Sequence, residues 1–332
     1  MNLFDAIFTT DLSAPAIRFG RRQITYGELR AETLKIGHVL RGLRVAPGDR
    51  VALLLPDSPE FVATFIATCS MGAIAVPINM ALRAEEQCSI LHNSGAKFAL
   101  IEDDIRHELL THAPEKLHSL ENVVQIDRNY RTEPPADAVD PEFPEPGHDD
   151  PAFILYTSGS TGEPKGAVHT QADVLYTNQT FCREVLRLTT HDRLFSSSRL
   201  PFAYGLGNSF TFPLLNGATT ILCRQKPSPD VIAAMFKEHR PTIFFGVPVI
   251  YNLLLEHHRG GGIKLDCSSL RLCVSAGEAL PAHLGEEWEK VFGVPVLDGI
   301  GSTEMLHMFM SNHEGEVRYG SSGRLIDGYE AR

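Results

Sequence analysis

The strongest constraint on this chain is an alternation of short, uninterrupted apolar runs with stretches of helical apolar spacing. Val51 to Leu55 is apolar throughout, as a strand buried on both faces must be. Before it, Thr25 to Leu43 has helical spacing, and Thr25 with Glu28 forms a capping-box pattern at its start. Helical patterns at Pro59–Met71 and Ala84–His92 alternate with strand patterns at Ala73–Pro77 and Phe98–Ile101. This β-α-β-α-β order predicts a parallel, doubly wound layer. A second series follows. Its strands are expected at Phe153–Tyr156, Arg193–Ser196, Thr219–Leu222, Thr242–Phe245, Leu272–Ser275 and Val294–Asp298. Its helices are expected at Gln171–Leu186, Asp230–Lys237, Val249–His257 and Pro281–Phe292.

Between the two series, residues 133–151 hold six prolines and seven acids, with Val139 and Phe143 as the large apolar residues. The expectation is a solvated, extended connector and a subdomain boundary. The division is therefore a first α/β subdomain at 1–132, the connector at 133–151, and a second α/β subdomain at 152–311. Residues 312–332 are Gly- and Ser-rich and show no finished element.

Forty-one acids against thirty Lys and Arg give a net charge of −11. That balance argues against nonspecific nucleic-acid or anionic-membrane binding, because phosphate surfaces attract the opposite sign. No signal peptide is visible at the N-terminus, and no apolar run approaches the roughly 18 residues of a spanning helix. The six cysteines have no CxxC spacing and mostly sit among apolar neighbours, so they read as reduced core thiols in a cytoplasmic protein. There is no GxSxG elbow, no HExxH and no His/Cys ligand cluster. His257 and His258 precede three glycines, a loop pattern, and are expected to be solvated.

The most informative segment runs from Tyr156 to Gly166: Tyr-Thr-Ser-Gly-Ser-Thr-Gly-Glu-Pro-Lys-Gly. It follows an apolar strand and precedes a helical pattern, the placement a phosphate loop needs. Gly159, Gly162 and Gly166 let the backbone approach a ligand and turn its amides inward. Thr157, Ser158, Ser160 and Thr161 add hydroxyls, and Lys165 brings a charge suited to a polyphosphate. The spacing is neither Walker A nor GxGxxG.

This string resembles the signature of the adenylate-forming superfamily, which includes acyl-CoA synthetases, luciferases and peptide-synthetase adenylation domains. The resemblance implies a mobile loop that holds the ATP β- and γ-phosphates while a carboxylate attacks the α-phosphorus. Asp298-Gly299-Ile300-Gly301-Ser302-Thr303-Glu304 is a second match. The resemblance assigns Thr303 to the α-phosphate and Glu304 to Mg²⁺, with Asp298, Gly299 and Ile300 beside the nucleotide. Ile300 stands where the family usually has an aromatic residue, so the base would be covered without π stacking. Ser275-Ala276-Gly277-Glu278 is similar to the turn that lines the family's adenine pocket.

Phe202-Ala203-Tyr204-Gly205 occupies the slot where many relatives have Pro-Leu-Phe-His, so Tyr204 replaces a His that commonly gates the acyl tunnel. With Gly246-Val247-Pro248, Gly301 and His307, these residues form the expected acid pocket. His307 is read in an apolar helix, where a satisfied core histidine is the commoner outcome. The strings Phe-Ala-Tyr-Gly-Leu-Gly and Gly-Ser-Thr-Glu-Met-Leu-His look like the benzoate-CoA ligase branch. A compact aromatic wall with one polar edge suits a flat aryl acid better than a long alkyl chain.

The expected function is thus that of an AMP-forming aryl-CoA ligase. It uses ATP and Mg²⁺, with CoA as co-substrate and an aromatic acid as partner; a homodimer is left open. The alternatives are a binding fragment without turnover, or an adenylating domain for medium-chain acids or a carrier protein. The last residues, Gly323-Arg324-Leu325-Ile326-Asp327-Gly328, resemble the family's Gly-Arg-Pro-x-x-Gly segment with Leu325 in place of Pro. The resemblance implies that the ribose-binding Thr-Gly-Asp segment, the hinge and the mobile C-terminal α+β domain would lie beyond it. The expected fold is the large N-terminal domain alone, with both half-reactions impaired in the chain as given.

Overall fold

The computed structural model describes residues 2–102, 117–125, 140–157, 164–262 and 264–331. They form two compact α/β units, one of Met1–Ala14 with Thr25–Asp173 and one of Pro15–Ile24 with Val174–Arg332. The chain begins with α1 (Leu3–Ile7) and strands β1 (Pro15–Phe19) and β2 (Arg22–Thr25), which the sequence reading had missed. Both strands are short and irregularly buried, so no period-2 pattern marks them.

The first unit continues through α2 (Tyr26–Gly42), β3 (Arg50–Leu54), α3 (Pro59–Ser70) and β4 (Ile74–Pro77). It goes on through α4 (Ala84–Ser94), β5 (Phe98–Ile101), β6 (Asn122–Gln125), β7 (Pro151–Thr157) and β8 (Lys165–Thr170). Its sheet has the order β6-β5-β3-β4-β7-β8. All pairings are parallel except the last, as the β-α-β pattern requires. The Thr25–Glu28 capping box forms as expected: Glu28 N donates to Thr25 Oγ1 at 3.1 Å and Thr25 N donates to Glu28 Oε2 at 2.7 Å. In α3 every residue but Glu60 is buried, which explains its nearly apolar sequence.

Two expectations change here. Residues 140–150, the described part of the acidic connector, are irregular and mostly exposed, but they are anchored within the first unit and do not mark its boundary. Pro141 is buried, the Phe143 ring lies 4.7 Å from that of Phe4, and Asn2 Nδ2 donates to Phe143 O. Gly37 has no side chain because a Cβ there would stand 2.8 Å from Pro141. Pro141 and the Phe143 ring are what anchor this segment, and the units divide at Asp173/Val174. The second change concerns the glycine-rich string. Its described ends do not join a strand to a helix; they belong to two antiparallel strands, β7 and β8, with Tyr156 opposite Gly166 and Thr157 opposite Lys165. Val139 and residues 158–163 lie outside the described residues.

In the second unit, α5 (Gln171–Thr177) crosses from the first and widens into a π-helical stretch, Asn178–Leu186. Then come β9 (Arg193–Ser196), α6 (Ala203–Leu206), a second π-helical stretch (Gly207–Thr211), α7 (Phe212–Leu215) and β10 (Thr219–Leu222). α8 (Pro229–His239), β11 (Ile243–Gly246), α9 (Pro248–Arg259), β12 (Leu272–Ser275), α10 (Ala282–Phe292), β13 (Val296–Gly301), β14 (Met308–Ser311) and β15 (Arg324–Leu325) follow. The sheet order is β15-β14-β13-β12-β11-β9-β10-β1-β2. β9 lies inside, with β10 on one side and β11 to β13 on the other, all parallel: a doubly wound arrangement. β14 and β15 add antiparallel pairs at one edge. The tail is therefore partly structured: β15 pairs with β14, and Ile326 is buried in the core beneath.

His257 closes the helix expected at Val249–His257, but both histidines are half-buried rather than solvated. They sit in the last turn of α9, where His257 Nε2 is 3.3 Å from Asp230 and His258 packs against Phe292. All six cysteines are free. Among the described residues, no helix is long and apolar enough to cross a membrane.

Candidate active site

Three of the sequence motifs end at one place in the second unit. Gly246 closes β11, Ser275 closes β12, and Asp298 lies on β13; the register pairs Gly246 with Ser275 and Ser275 with Asp298. This row runs across the carboxyl ends of parallel strands, where open α/β sheets bind ligands. The residues that follow each strand form the rim: Val247 and Pro248 after β11, then Ala276, Gly277 and Glu278 after β12. Gly277 has φ +91, a left-handed turn that favours glycine. Gly277 and Glu278 are exposed.

Tyr204 stands over this row. Its hydroxyl is 3.3 Å from Gly246 O and 3.2 Å from Val274 O, and burial pushes the phenol well above its ordinary range. Gly205 is required beside it, because a Cβ there would stand 2.0 Å from Arg199 O. Gly246 likewise makes room for the Tyr251 ring, whose hydroxyl donates to Val274 O at 2.8 Å.

His307 completes the wall. It is not in a helix: residues 302–307 form a turn between β13 and β14, and the strands pair around it. Gly299 and Gly301 permit that close pairing, since a Cβ on Gly301 would meet His307 O at 2.6 Å. The imidazole is packed by Phe181 at 4.8 Å, Tyr204 at 5.5 Å and Phe212 at 4.6 Å, and Nε2 lies 3.1 Å from Asn208 Oδ1. Burial pulls its pKa down to about 3, so the ring is neutral at pH 7.

Asp298 is 3% exposed, and its Oδ1 has no hydrogen-bond partner while Oδ2 accepts from Ser322 at 3.4 Å. Burial pushes its pKa up to about 6. Thr303 and Glu304 lie on the same turn as His307, with Glu304 exposed and Met305 N donating to Ser302 Oγ. Among the described residues no group of three or more His, Cys, Asp or Glu side chains could cage a metal. A single exposed carboxylate fits Mg²⁺ that arrives with phosphates and keeps most of its oxygen ligands from them and from water.

Ala203 is buried, but Phe202 is 44% exposed. Ile300 is as exposed as Phe202, on the outer end of β13. Thr157 and Lys165 belong to the β7–β8 hairpin of the first unit, with Lys165 exposed, and Ser158, Gly159, Ser160, Thr161 and Gly162 lie outside the described residues. Two contributors were missed. Arg199 donates to three successive carbonyls, Cys223 O at 2.6 Å, Arg224 O at 3.2 Å and Gln225 O at 2.6 Å, and so ties down the segment leading to Tyr204. Asn208 reaches His307; it stands beside Ser209 and Thr211 in Gly207-Asn208-Ser209-Phe210-Thr211, and no local pattern sets it apart.

With this geometry in view, the comparisons with known proteins are direct. The family model described as AMP-binding enzyme matches residues 5–332. The chain belongs to the AMP-binding enzyme family. It is 38% identical to benzoate–CoA ligase of Thauera aromatica over 324 residues, which are 93% of this chain and 59% of that protein. It is 34% identical to the 3-hydroxybenzoate–CoA/4-hydroxybenzoate–CoA ligase of the same organism, covering 96% of this chain and 61% of that one. Among solved structures, it matches the anthranilate CoA ligase AuaEII in complex with anthranoyl-AMP with TM-score 0.90 and 33% identity. That match covers 99% of this chain and 64% of the other. A benzoate CoA ligase from Burkholderia xenovorans LB400 matches with TM-score 0.86 and 34% identity, covering 99% and 67%. The chain thus spans about three fifths of the length of the curated relatives it matches.

Proposed function

We propose that this chain carries the nucleotide and aryl-acid sites of an AMP-forming aryl-CoA ligase. The observation that carries the reading is the in-register row Gly246–Ser275–Asp298 at the carboxyl edge of a parallel sheet, walled by Tyr204 and a neutral His307. A flat, uncharged aromatic wall favours a benzoate-like ring over a flexible alkyl chain. The acid's carboxylate oxygen attacks the α-phosphorus of ATP, the bond to pyrophosphate breaks, and aryl-AMP forms. The CoA thiol then attacks the acyl carbon, giving the thioester and releasing AMP.

Each residue has a role in this scheme. Asp298 and the Ser275–Glu278 turn accept the base, with Gly299 and Ile300 alongside. Thr303 donates to the α-phosphate. Thr157, Lys165 and the glycine-rich string between them hold the outgoing pyrophosphate. Ala203, Tyr204, Gly205, Gly246, Val247, Pro248, Gly301 and His307 shape the acid site. Glu304 is the carboxylate for Mg²⁺, which when bound neutralises charge between the phosphates.

Titration calorimetry with ATP–Mg²⁺ and with benzoate, alongside an assay for aryl-AMP, tests this reading. Binding of both ligands, with benzoate heat reduced in a Tyr204→Ala variant, is the expected outcome. Absence of heat with either ligand, or binding of octanoate in preference to benzoate, would overturn it. Binding of both without any pyrophosphate release would identify a chain that holds its substrates without turnover.

A further inference from the structure

Both π-helical stretches of the second unit converge on one side chain. Phe181, from Asn178–Leu186, packs on the His307 ring, and Asn208, from Gly207–Thr211, meets its Nε2 at 3.1 Å. π-helical widening inserts a residue into a helix and re-aims its side chains, and it is frequent at functional sites. Here it places Gly207 and Asn208 side by side against the imidazole. Gly207 leaves room, since a Cβ would stand 2.5 Å from His307 Cδ2. Asn208 meets the ring at Nε2 and is 0% exposed, while the Tyr204 backbone makes the ring's other polar contact. The two residues are 99 positions apart in sequence, so the contact is purely tertiary.

A buried imidazole with three aromatic neighbours has two neutral tautomers that present opposite chemistry, and one hydrogen bond selects between them. We propose that Asn208 is a positioning residue that holds His307 in the aryl-acid wall as the Nε2–H tautomer, by accepting its proton at Oδ1. The inference rests on the aryl-acid reading above for its consequence, but not for the contact itself. With Nε2–H held by Asn208, the wall presents an oriented, uncharged ring face to the acid. The substrate carboxylate then has no buried cation to pair with there, and stays available as the nucleophile.

The proposal is about which ring nitrogen carries the proton, so the test reads the ring nitrogens directly. The chain labelled with ¹⁵N-histidine is observed at pH 7 by long-range ¹H–¹⁵N correlation, in wild type, Asn208→Ala and Asn208→Asp. The expected wild-type pattern is a neutral ring with Nε2 protonated. Asn208→Ala should give mixed tautomers and weaken benzoate binding roughly tenfold, as loss of one orienting hydrogen bond implies. Its ATP affinity should be unchanged. Asn208→Asp, nearly isosteric, should keep Nε2 protonated and draw a second proton onto Nδ1.

A wild-type ring protonated at Nδ1 alone, or a ring unaltered in both variants, would overturn the proposal. If Asn208→Ala does not fold, the wild-type and Asn208→Asp spectra still decide it. If wild type binds no benzoate, the functional reading fails while the spectra still decide the role of Asn208.

Discussion

Two buried aspartates of the second unit's sheet make an instructive contrast. Asp192 immediately precedes β9, at the amino end of the parallel strands. Its Oδ1 accepts from Arg271 Nε at 2.9 Å and Thr242 Oγ1 at 2.7 Å; its Oδ2 accepts from Arg271 Nη2 at 3.0 Å and Thr189 N at 2.9 Å. Burial alone would raise its pKa, but Arg271, Thr189 and Thr242 overcome that and hold it below the usual carboxylate range. Asp298, on the carboxyl side of the same sheet, is equally buried; the backbone at Leu280 and Gly299 and a long bond from Ser322 offset only part of the burial, which pushes its pKa up to about 6. The first carboxylate is finished by the protein. The second is left for something else, and under the proposed function the nucleotide base supplies its missing partner.

Substitutions can break this contrast at either end. Asp192→Ala should have the largest effect, a loss of about 3–5 kcal/mol, because Arg271 would be left half-buried without its partner. Urea unfolding with an unchanged slope would read it directly. Asp298→Asn should do the reverse. The gap between about 6 in the native chain and 3.8 for a free carboxyl corresponds to about 3 kcal/mol, and the amide should recover up to that much at pH 7. A site that gains stability on losing its charge is one kept for ligand binding rather than for folding.

The pH dependence sharpens the same point. Between pH 4 and 6 the native chain holds the Asp298 proton while the unfolded chain has released it. The stability of wild type relative to Asp298→Asn should therefore fall as pH rises through that window, then level off. Asp192 acts oppositely: its contribution is full above about pH 4 and is lost only as pH falls further. Arg271→Lys, which keeps the charge but loses the forked contact, should cost about 2 kcal/mol. Ser322→Ala should be the mildest change, below about 1 kcal/mol, because its bond to Asp298 is long.

Much of the fold was legible because the strands that build the two parallel layers are buried on both faces. Arg193–Ser196, Thr219–Leu222 and Leu272–Ser275 appear where their apolar runs place them. The missed elements lack that signal. β8 carries an exposed Lys165 and Val168 and a glycine, so it reads as loop until its pairing with β7 is seen. The helical run from Ala203 to Leu215 contains Gly205 and Gly207, which argue against a helix unless one knows what they touch. Gly205 packs on Arg199 O and Gly207 on His307. Site residues in contiguous motifs, such as Ser275, Asp298 and His307, could be picked out, whereas Asn208 could not. Its partner lies 99 residues away, and no local pattern encodes that meeting.

The turn carrying Thr303 and Glu304 ends at Leu306, which has φ +62 and is nearly fully buried. A leucine there accepts a backbone strain of about 1–2 kcal/mol in return for burying a side chain worth roughly 1.5–3 kcal/mol. No single replacement keeps both advantages. Glycine relaxes the backbone and empties the core beneath, asparagine relaxes it and buries an amide, and valine or isoleucine deepens the strain. Position 306 is therefore a joint between backbone and core: a change there is felt at once in the turn above and in the packing beneath.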